Sequence, residues 1–160
     1  MIYDNTHVRR QDRLLEESAA RELLERGEYG ILSMADAEGG GYGVPVSYVW
    51  DGERSVYIHC AREGHKLRSM EADPRVTLTV VGRTRPCPEQ LTTAYESIIL
   101  RGRIGLCTEQ AERMHALELL CRKYAPEHKQ WRRAAEASAL RTAILRIEIA
   151  TMSGKQKKII

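Results

Sequence analysis

A glycine, an imidazole and an ammonium group follow one another at Gly64, His65 and Lys66, where a short amphipathic segment begins. The first turn of a helix has backbone N–H groups without partners inside the helix, and these groups favour an anion. A lysine adds a point charge, and a histidine adds a donor that can also move a proton near neutral pH. The pattern therefore predicts a phosphate site. An exposed lysine and a purely structural histidine are the alternatives that the same residues allow.

Two strand-like runs, residues 42–50 and 55–60, precede this turn and are joined by an Asp-Gly pair. Asp-Gly between alternating runs is typical of a tight hairpin, so the two runs are predicted to pair with each other. In the second run the apolar residues alternate, which places His59 on the face opposite the predicted core. Pro45 cannot donate a ladder hydrogen bond, so it is predicted on an edge strand or at an irregularity, where backbone groups stay free for a ligand.

The remaining hydrophobic periodicity predicts an antiparallel barrel with peripheral helices, because helices do not alternate one for one with strands. Ser18 and Thr108 are predicted N-caps, and Gly102 is predicted at a bulge or bend. Residues 127–140 are charged and helix-permissive, with Trp131 predicted at an interface or a pocket rim. The predicted helices are 18–27, 65–72 and 109–124, and the other predicted strands are 29–35, 75–82, 95–106 and 142–152.

Composition favours one soluble domain over residues 1–160, with residues 1–15 as a polar arm. The net charge is only +3 and the basic residues cluster at the termini, which argues against nucleic-acid binding. The four cysteines have no CxxC or zinc spacing, so no metal site is predicted. The N-terminus lacks a secretory h-region and no run approaches the length of a membrane helix, so a cytoplasmic location with no membrane contact is predicted.

Five segments occur in a fixed order: VPVSY, YIHCAREGHK, DPRV, YESI with a following GR, and MSGK. This ordered set resembles the pyridoxamine 5′-phosphate oxidase-like flavoproteins, and among them the 5-nitroimidazole resistance branch. The resemblance covers residues 9–158. It implies a mostly β fold, the FMN-binding split β-barrel of Greek-key topology, with two identical subunits and FMN at the interface between them.

The resemblance also implies roles for individual positions. Along the isoalloxazine edge and beside the ring it implies Val44, Pro45, Val46, Ser47, His59, Cys60 and Ala61. At the ribityl phosphate or the ring it implies Gly64, His65 and Lys66, and as the pocket-closing residues of the other subunit it implies Tyr95, Ser97 and Ile98. His65 is the implied catalytic residue, because reduction of a nitro group needs protons as well as electrons.

Two departures from the family pattern refine this function. Cys60 stands where a small serine is common, and the C-terminal segment lacks the Arg-x-His set of true vitamin B6 oxidases, which argues against that reaction. The resemblance therefore implies an FMN-dependent oxidoreductase that passes electrons from NAD(P)H or another reductant to a small acceptor such as a nitroaromatic compound. The alternatives are an oxidoreductase with another substrate, a haem-binding split barrel, and a flavin-binding module without turnover.

Overall fold

The computed structural model describes residues 1–138 and 141–158. Eight strands in the described part form one sheet, and four helices lie around it. The strands are β1 (Ile2–Tyr3), β2 (Gly30–Ala35), β3 (Gly41–Val46), β4 (Val49–Trp50), β5 (Ser55–Ala61), β6 (Arg75–Cys87), β7 (Thr92–Leu106) and β8 (Thr142–Lys157). The helices are α1 (Glu17–Arg26), α2 (His65–Ala72), α3 (Gln110–Tyr124) and α4 (Trp131–Ser138).

The sheet runs in the order β3-β2-β6-β7-β8-β5-β4, with β1 added in parallel beside β8. All other pairings are antiparallel. The two ends of this path, β3 and β4, are consecutive in the chain, so the sheet curls into a barrel that is split where they meet. Across the barrel wall, Leu32, Leu78, Leu100 and Met152 stand in register and are fully buried. The predicted barrel with peripheral helices is confirmed.

The long hairpin is one point at which the sequence prediction is wrong. Strand β3 pairs with β2, and only Val49 and Trp50 pair with β5, opposite Tyr57 and Val56. The Asp-Gly turn is correct, but the chain turns a corner at residues 47–48. Period-2 patterning shows which face of a strand is buried and does not show which strand lies beside it.

Tyr48 fixes this corner. Its side chain is fully buried and its hydroxyl donates to the carbonyl of Leu24 at 2.6 Å. The hydroxyl of Tyr124 accepts a hydrogen bond from the Tyr48 N–H at 2.9 Å. The same hydroxyl lies 2.7 Å from the carbonyl oxygens of Tyr48 and of Glu28, and either oxygen can accept its hydrogen. Helices α1 and α3 therefore both hold the corner that separates β3 from β4.

Lys123 lies against the same corner with its ammonium group 4.0 Å from the centre of the Tyr48 ring. The amine is buried and has no hydrogen-bond partner among the described residues, and burial lowers its pKa to about 8. The folded chain therefore binds fewer protons than the unfolded chain between about pH 8 and the ordinary lysine pKa of 10.5. It follows that the free energy of unfolding rises with pH across this window.

Lys123→Met is expected to stabilise the protein at pH 7, because it removes an ammonium group that has lost its water. The full pKa shift of Lys123 corresponds to about 3 kcal/mol in the free energy of unfolding. Because the side chain is only half-buried and solvent screens its charge, we expect a gain of about 1 kcal/mol. The gain should shrink as the pH approaches 10.5. Urea unfolding at several pH values measures it, with the exposed Lys129→Met as control. A gain that does not change with pH would contradict this account.

The strands β6, β7 and β8 are longer than predicted. Pro86 and Pro88 predict a loop after residue 82, but this prediction is wrong at Pro86, because β6 continues through it and Pro86 lies opposite Thr93 of β7. The pairing of β6 with β2 ends at Thr79, and beyond that point one edge of β6 has no neighbouring strand in the described part of the chain. Proline is tolerated on such an edge because no ladder hydrogen bond is lost.

Both predicted N-caps are wrong. α1 and α3 begin one residue before and two residues after the predicted caps Ser18 and Thr108, and the capping residues Glu16 and Glu109 make no side-chain cap. Acidic side chains at these ends still favour the helix dipole. The predicted end of α1 at Gly27 is confirmed. A Cβ there would lie 2.6 Å from the Tyr48 hydroxyl, so glycine is required by close packing.

The apolar spacing of α3 predicts a buried stripe of Met114, Leu117, Cys121 and Tyr124, and this prediction is only partly correct. Leu117 is buried, but Tyr124 is 40% exposed, and the other buried positions are Ala116 and Leu120. The buried face of α3 differs from the predicted one because the helix packs on the outer side of the barrel, where Tyr57 and its neighbours form a second apolar cluster. The face of β5 that carries His59 is therefore covered at Tyr57 and exposed at His59.

The predicted polar arm is bound to the barrel. Ile2 and Tyr3 pair with Thr151 and Met152 of β8, and the Tyr3 hydroxyl donates to the carbonyl of Leu15, which is itself buried. In the described ranges, no helix is both long and apolar enough to cross a membrane.

Candidate functional site

The start of α2 is attached to the turn between β2 and β3. The His65 Nε2 atom lies 2.8 Å from Asp36 Oδ2, and its Nδ1 atom is 3.4 Å from a guanidinium nitrogen of Arg68. The Tyr42 ring meets the imidazole edge-on, with 4.7 Å between centres. Since Arg68 can only donate, the network assigns the proton to Nε2, which donates to Asp36. Both ring nitrogens are thus engaged within the chain.

Asp36 is held as a carboxylate in this turn. The backbone N–H of Glu38 donates to it at 2.8 Å, and this bond, followed by the bond from His65, lowers the pKa of Asp36. Gly64 precedes α2 with a φ of +145°, a conformation that side chains rarely adopt. The prediction that Gly64, His65 and Lys66 begin a helix is confirmed.

Lys66 is half-buried in the first turn of α2. It makes no hydrogen bond or ion pair within the part of the chain that the structure describes. Lys66 interacts electrostatically with Cys60 near the end of β5. Burial raises the pKa of the Cys60 thiol, and the positive charge of Lys66 lowers it by a smaller amount. Because the Lys66 ammonium group has no partner in the described ranges, it is available to an anion from outside the chain.

The split of the barrel brings three predicted segments together. Among the strands that the structure describes, β3 pairs only with β2, so its other edge carries backbone groups that none of these strands satisfies, and Pro45 lies in this edge strand as predicted. The turn before β3 is attached to α2 through Asp36 and His65, and α2 reaches the end of β5 through Lys66 and Cys60. We refer to the space bounded by β3, the end of β5 and the start of α2 as the gap.

The predicted flavin-contacting residues differ in exposure at the gap. Their exposure decides whether a side chain or only the backbone is available to a ligand. Pro45, Ser47, His59, Ala61 and Gly64 are exposed, Val44, Cys60, His65 and Lys66 are half-buried, and Val46 is buried.

Tyr95, Ser97 and Ile98 lie on β7, which β2 and β6 separate from β3 in the sheet. One chain therefore does not bring them beside β3. Tyr95 and Ser97 are half-buried, and the Ile98 side chain is fully buried in its own barrel, so only its backbone is available to another molecule.

Asp36 and Tyr42 were not predicted as site residues. Asp36 stands before the glycine-rich turn, which is a turn signal, but its partner His65 is 29 residues away along the chain. No local pattern connects the two. No group of three or more potential metal-ligating His, Cys, Asp or Glu side chains occurs within residues 1–138 and 141–158.

A family model for pyridoxamine 5′-phosphate oxidase matches residues 16–156, most of the chain. The chain belongs to the pyridoxamine 5′-phosphate oxidase family. The family resemblance inferred from the ordered motifs is confirmed. No curated protein sequence matches the chain significantly.

Several solved protein structures have the same fold as this chain. A candidate 5-nitroimidazole antibiotic resistance protein from Bacteroides thetaiotaomicron is 18% identical, with a TM-score of 0.77 over 90% of this chain and 86% of the other. An FAD-binding protein from Mesorhizobium loti is 22% identical, with a TM-score of 0.69 over 91% and 98% of the two chains. A flavocytochrome from Azotobacter vinelandii is 21% identical, with a TM-score of 0.77 over 98% and 75%. At these identities the likeness shows the fold alone.

Proposed function

We propose that this member of the pyridoxamine 5′-phosphate oxidase family binds FMN in the gap and is a flavin-dependent oxidoreductase that reduces a small acceptor such as a nitroaromatic compound. The observation that carries the proposal is Lys66, which is half-buried in the first turn of α2 and has no hydrogen-bond or ion-pair partner among residues 1–138 and 141–158. A phosphate is the anion that a helix start and a lysine suit best. Flavin-binding proteins among the structural neighbours support a flavin as the larger group.

The residues at the gap fit a flavin in three ways. Lys66 would neutralise the phosphate, and Gly64 lets the backbone approach it, since nothing occupies the space beside its Cα. The free edge of β3 around Pro45 offers backbone donors and acceptors to the polar edge of the ring. A bound flavin supplies the electron transfer, and the protein supplies binding, orientation and protons.

His65 suits a positioning role better than proton transfer. Its two ring nitrogens are engaged with Asp36 and Arg68, so it would have to break one of these contacts to serve an acceptor. We propose that His65 sets the distance between α2 and the β2–β3 turn. The exposed imidazole of His59, on β5, is the proton carrier that we propose instead.

A second copy of the chain is the partner that we propose for the outer face of the sheet. One row of residues that stand in register across five strands has no charged side chain. It consists of Pro45, Ile31, Thr79, Ile99 and Ser153. Ile99 is 36% exposed, and Val81 on the same face is 51% exposed. An uncharged row with two exposed aliphatic side chains beside it favours an interface at this part of the sheet. Covering it with a second copy would bring Tyr95 and Ser97 of the partner subunit to the site.

Ile99→Lys is expected to give a monomer where the unchanged protein is a dimer, because it would bury two unpaired ammonium groups at the two-fold interface. Light scattering coupled to size exclusion measures the mass. Leu106→Lys changes an exposed leucine near the other end of β7 and serves as control. A monomeric unchanged protein would remove the dimer from the proposal.

The reaction itself is tested without oxygen. Conversion of a nitro group to a nitroso group consumes two electrons and two protons and releases water. The FMN-loaded protein is reduced photochemically and mixed with a 5-nitroimidazole, and the return of the oxidised-flavin absorbance is followed. We expect this return to be faster than for free reduced FMN. If the protein-bound flavin and free reduced FMN are reoxidised at equal rates, the protein is a flavin-binding module without turnover. A Soret band in the purified protein would favour the haem alternative.

A further inference from the structure

A cavity of about 510 Å³ lies between α3, α4 and the end of β5. Its apolar lining includes Leu117 and Leu120 of α3 and Trp131 and Ala135 of α4. No lysine, arginine, aspartate or glutamate in the described ranges lines it. Four other surface grooves are each lined by three or more charged side chains. In a chain with 29% charged residues, this cavity is therefore suited to an uncharged ligand.

The cavity exists because α4 turns small side chains toward α3. Trp131, Ala134, Ala135 and Ser138 recur at the spacing that places residues on one helix face, and all four line the cavity. Ala135 is buried, whereas Trp131 is only half-buried although it is the largest of the four. The Arg132 guanidinium lies over the Trp131 ring, 5.3 Å from its centre, and the part of the ring that stays exposed is left to contact another molecule.

The polar groups of the lining include Ser47 and His59, and both are exposed. His59 and Cys60 are consecutive in β5 and point to opposite faces of the strand, so the cavity and the gap lie on the two sides of the end of β5. His59 makes no hydrogen bond or ion pair with the described residues and remains available as a donor. The Tyr124 hydroxyl, which also lines the cavity, is already engaged at the Tyr48 corner.

We propose that this cavity binds an uncharged aromatic molecule of two fused rings, the naphthoquinone class, with Trp131 packed on its face and His59 donating a hydrogen bond to one of its oxygens. The volume and the apolar lining suit two rings better than one small polar nitroimidazole. Binding here does not depend on the flavin. If the proposed function holds, such a molecule would lie across the end of β5 from the flavin as an electron acceptor.

Menadione, an uncharged naphthoquinone, is the probe, and the flavin-free protein is the sample. Trp50→Phe leaves Trp131 as the only tryptophan and removes a buried indole N–H that has no partner among the described residues. We expect saturable quenching of Trp131 fluorescence by menadione, confirmed by calorimetry. Naphthoate, which has the same rings and a negative charge, should not compete.

Ala134→Phe should fill the cavity and weaken menadione binding by at least about tenfold, a change of about 1.4 kcal/mol. Ala137→Phe places the same ring on an exposed position of α4 outside the cavity lining and should leave the affinity unchanged. His59→Ala should weaken binding by about fivefold. Ala134→Leu adds less volume and replaces Ala134→Phe if thermal melting shows that the latter is not folded.

Absent or non-saturable quenching would overturn the proposal. So would an unchanged affinity in both Ala134 variants, or equal losses in Ala134→Phe and Ala137→Phe. Because the measurement uses protein without flavin, menadione binding together with a failure to bind FMN would overturn the proposed function and leave the naphthoquinone site standing.

Discussion

Replacing Lys66 by alanine is expected to weaken FMN binding by about 30- to 150-fold, because a charge-assisted contact to phosphate contributes about 2–3 kcal/mol. Lys66 has no other partner among the described residues, so its removal should leave the stability of the fold nearly unchanged. Titration of the protein into FMN, followed by quenching of flavin fluorescence, measures the affinity. Lys129→Ala, which removes an exposed lysine between α3 and α4, is the matched control.

The comparison with His65→Ala separates direct binding from positioning. His65 contacts Asp36, Tyr42 and Arg68, so its removal should lower both the stability of the attachment between α2 and β2 and the affinity for FMN. Lys66→Ala should lower the affinity alone. An unchanged affinity in Lys66→Ala, with the control also unchanged, would show that the phosphate is held elsewhere.

Gly102→Ala is expected to destabilise the protein by about 3 kcal/mol, the largest effect on folding that we predict for one methyl group. The pairing of β7 with β8 shifts at this point: Arg101 stands opposite Thr151, and Gly102 opposite Ile149, which leaves Ala150 as the extra residue of a bulge. The predicted bulge at Gly102 is thus confirmed, with the added residue in the neighbouring strand.

The cost arises from the backbone. A Cβ on Gly102 would overlap the carbonyl oxygen of Glu148 and lie 3.0 Å from its carbonyl carbon. Neither atom can move without breaking the ladder between β7 and β8. Gly105→Ala in the same strand is the control. A Cβ on Gly105 would have no neighbouring atom within 4 Å, so this substitution should change the free energy of unfolding by no more than about 0.5 kcal/mol. Equal midpoints of urea unfolding for the two variants would contradict this account of the bulge.

The sequence predicted the barrel because the strand patterns are local. Alternation at Val76, Leu78 and Val80 marks a strand with one buried face, and all three are buried. The partner of each strand depends on distant residues, and this is why β3 was paired with the wrong neighbour. The caps at Ser18 and Thr108 failed for a similar reason, since a cap requires a particular backbone conformation as well as a suitable side chain.

The candidate site was predictable only in part. The order glycine, histidine, lysine was sufficient to place a helix start, and the structure has it at α2. The attachment of His65 to Asp36 and the cavity below α4 depend on elements that are distant in sequence. The role of Trp131 shows the same limit: a large ring in a charged segment predicted an interface or a pocket rim, and the cavity it lines became visible only with α3 and β5 in place.

The most direct test of the phosphate site compares FMN with riboflavin, which has the same ring and ribityl chain and lacks the phosphate. The unchanged protein is titrated into each flavin at fixed ionic strength, and the two affinities are measured by fluorescence quenching. The account predicts that FMN binds at least about 30-fold more tightly than riboflavin. Equal affinities for the two flavins, or no binding of either, would contradict the proposed site.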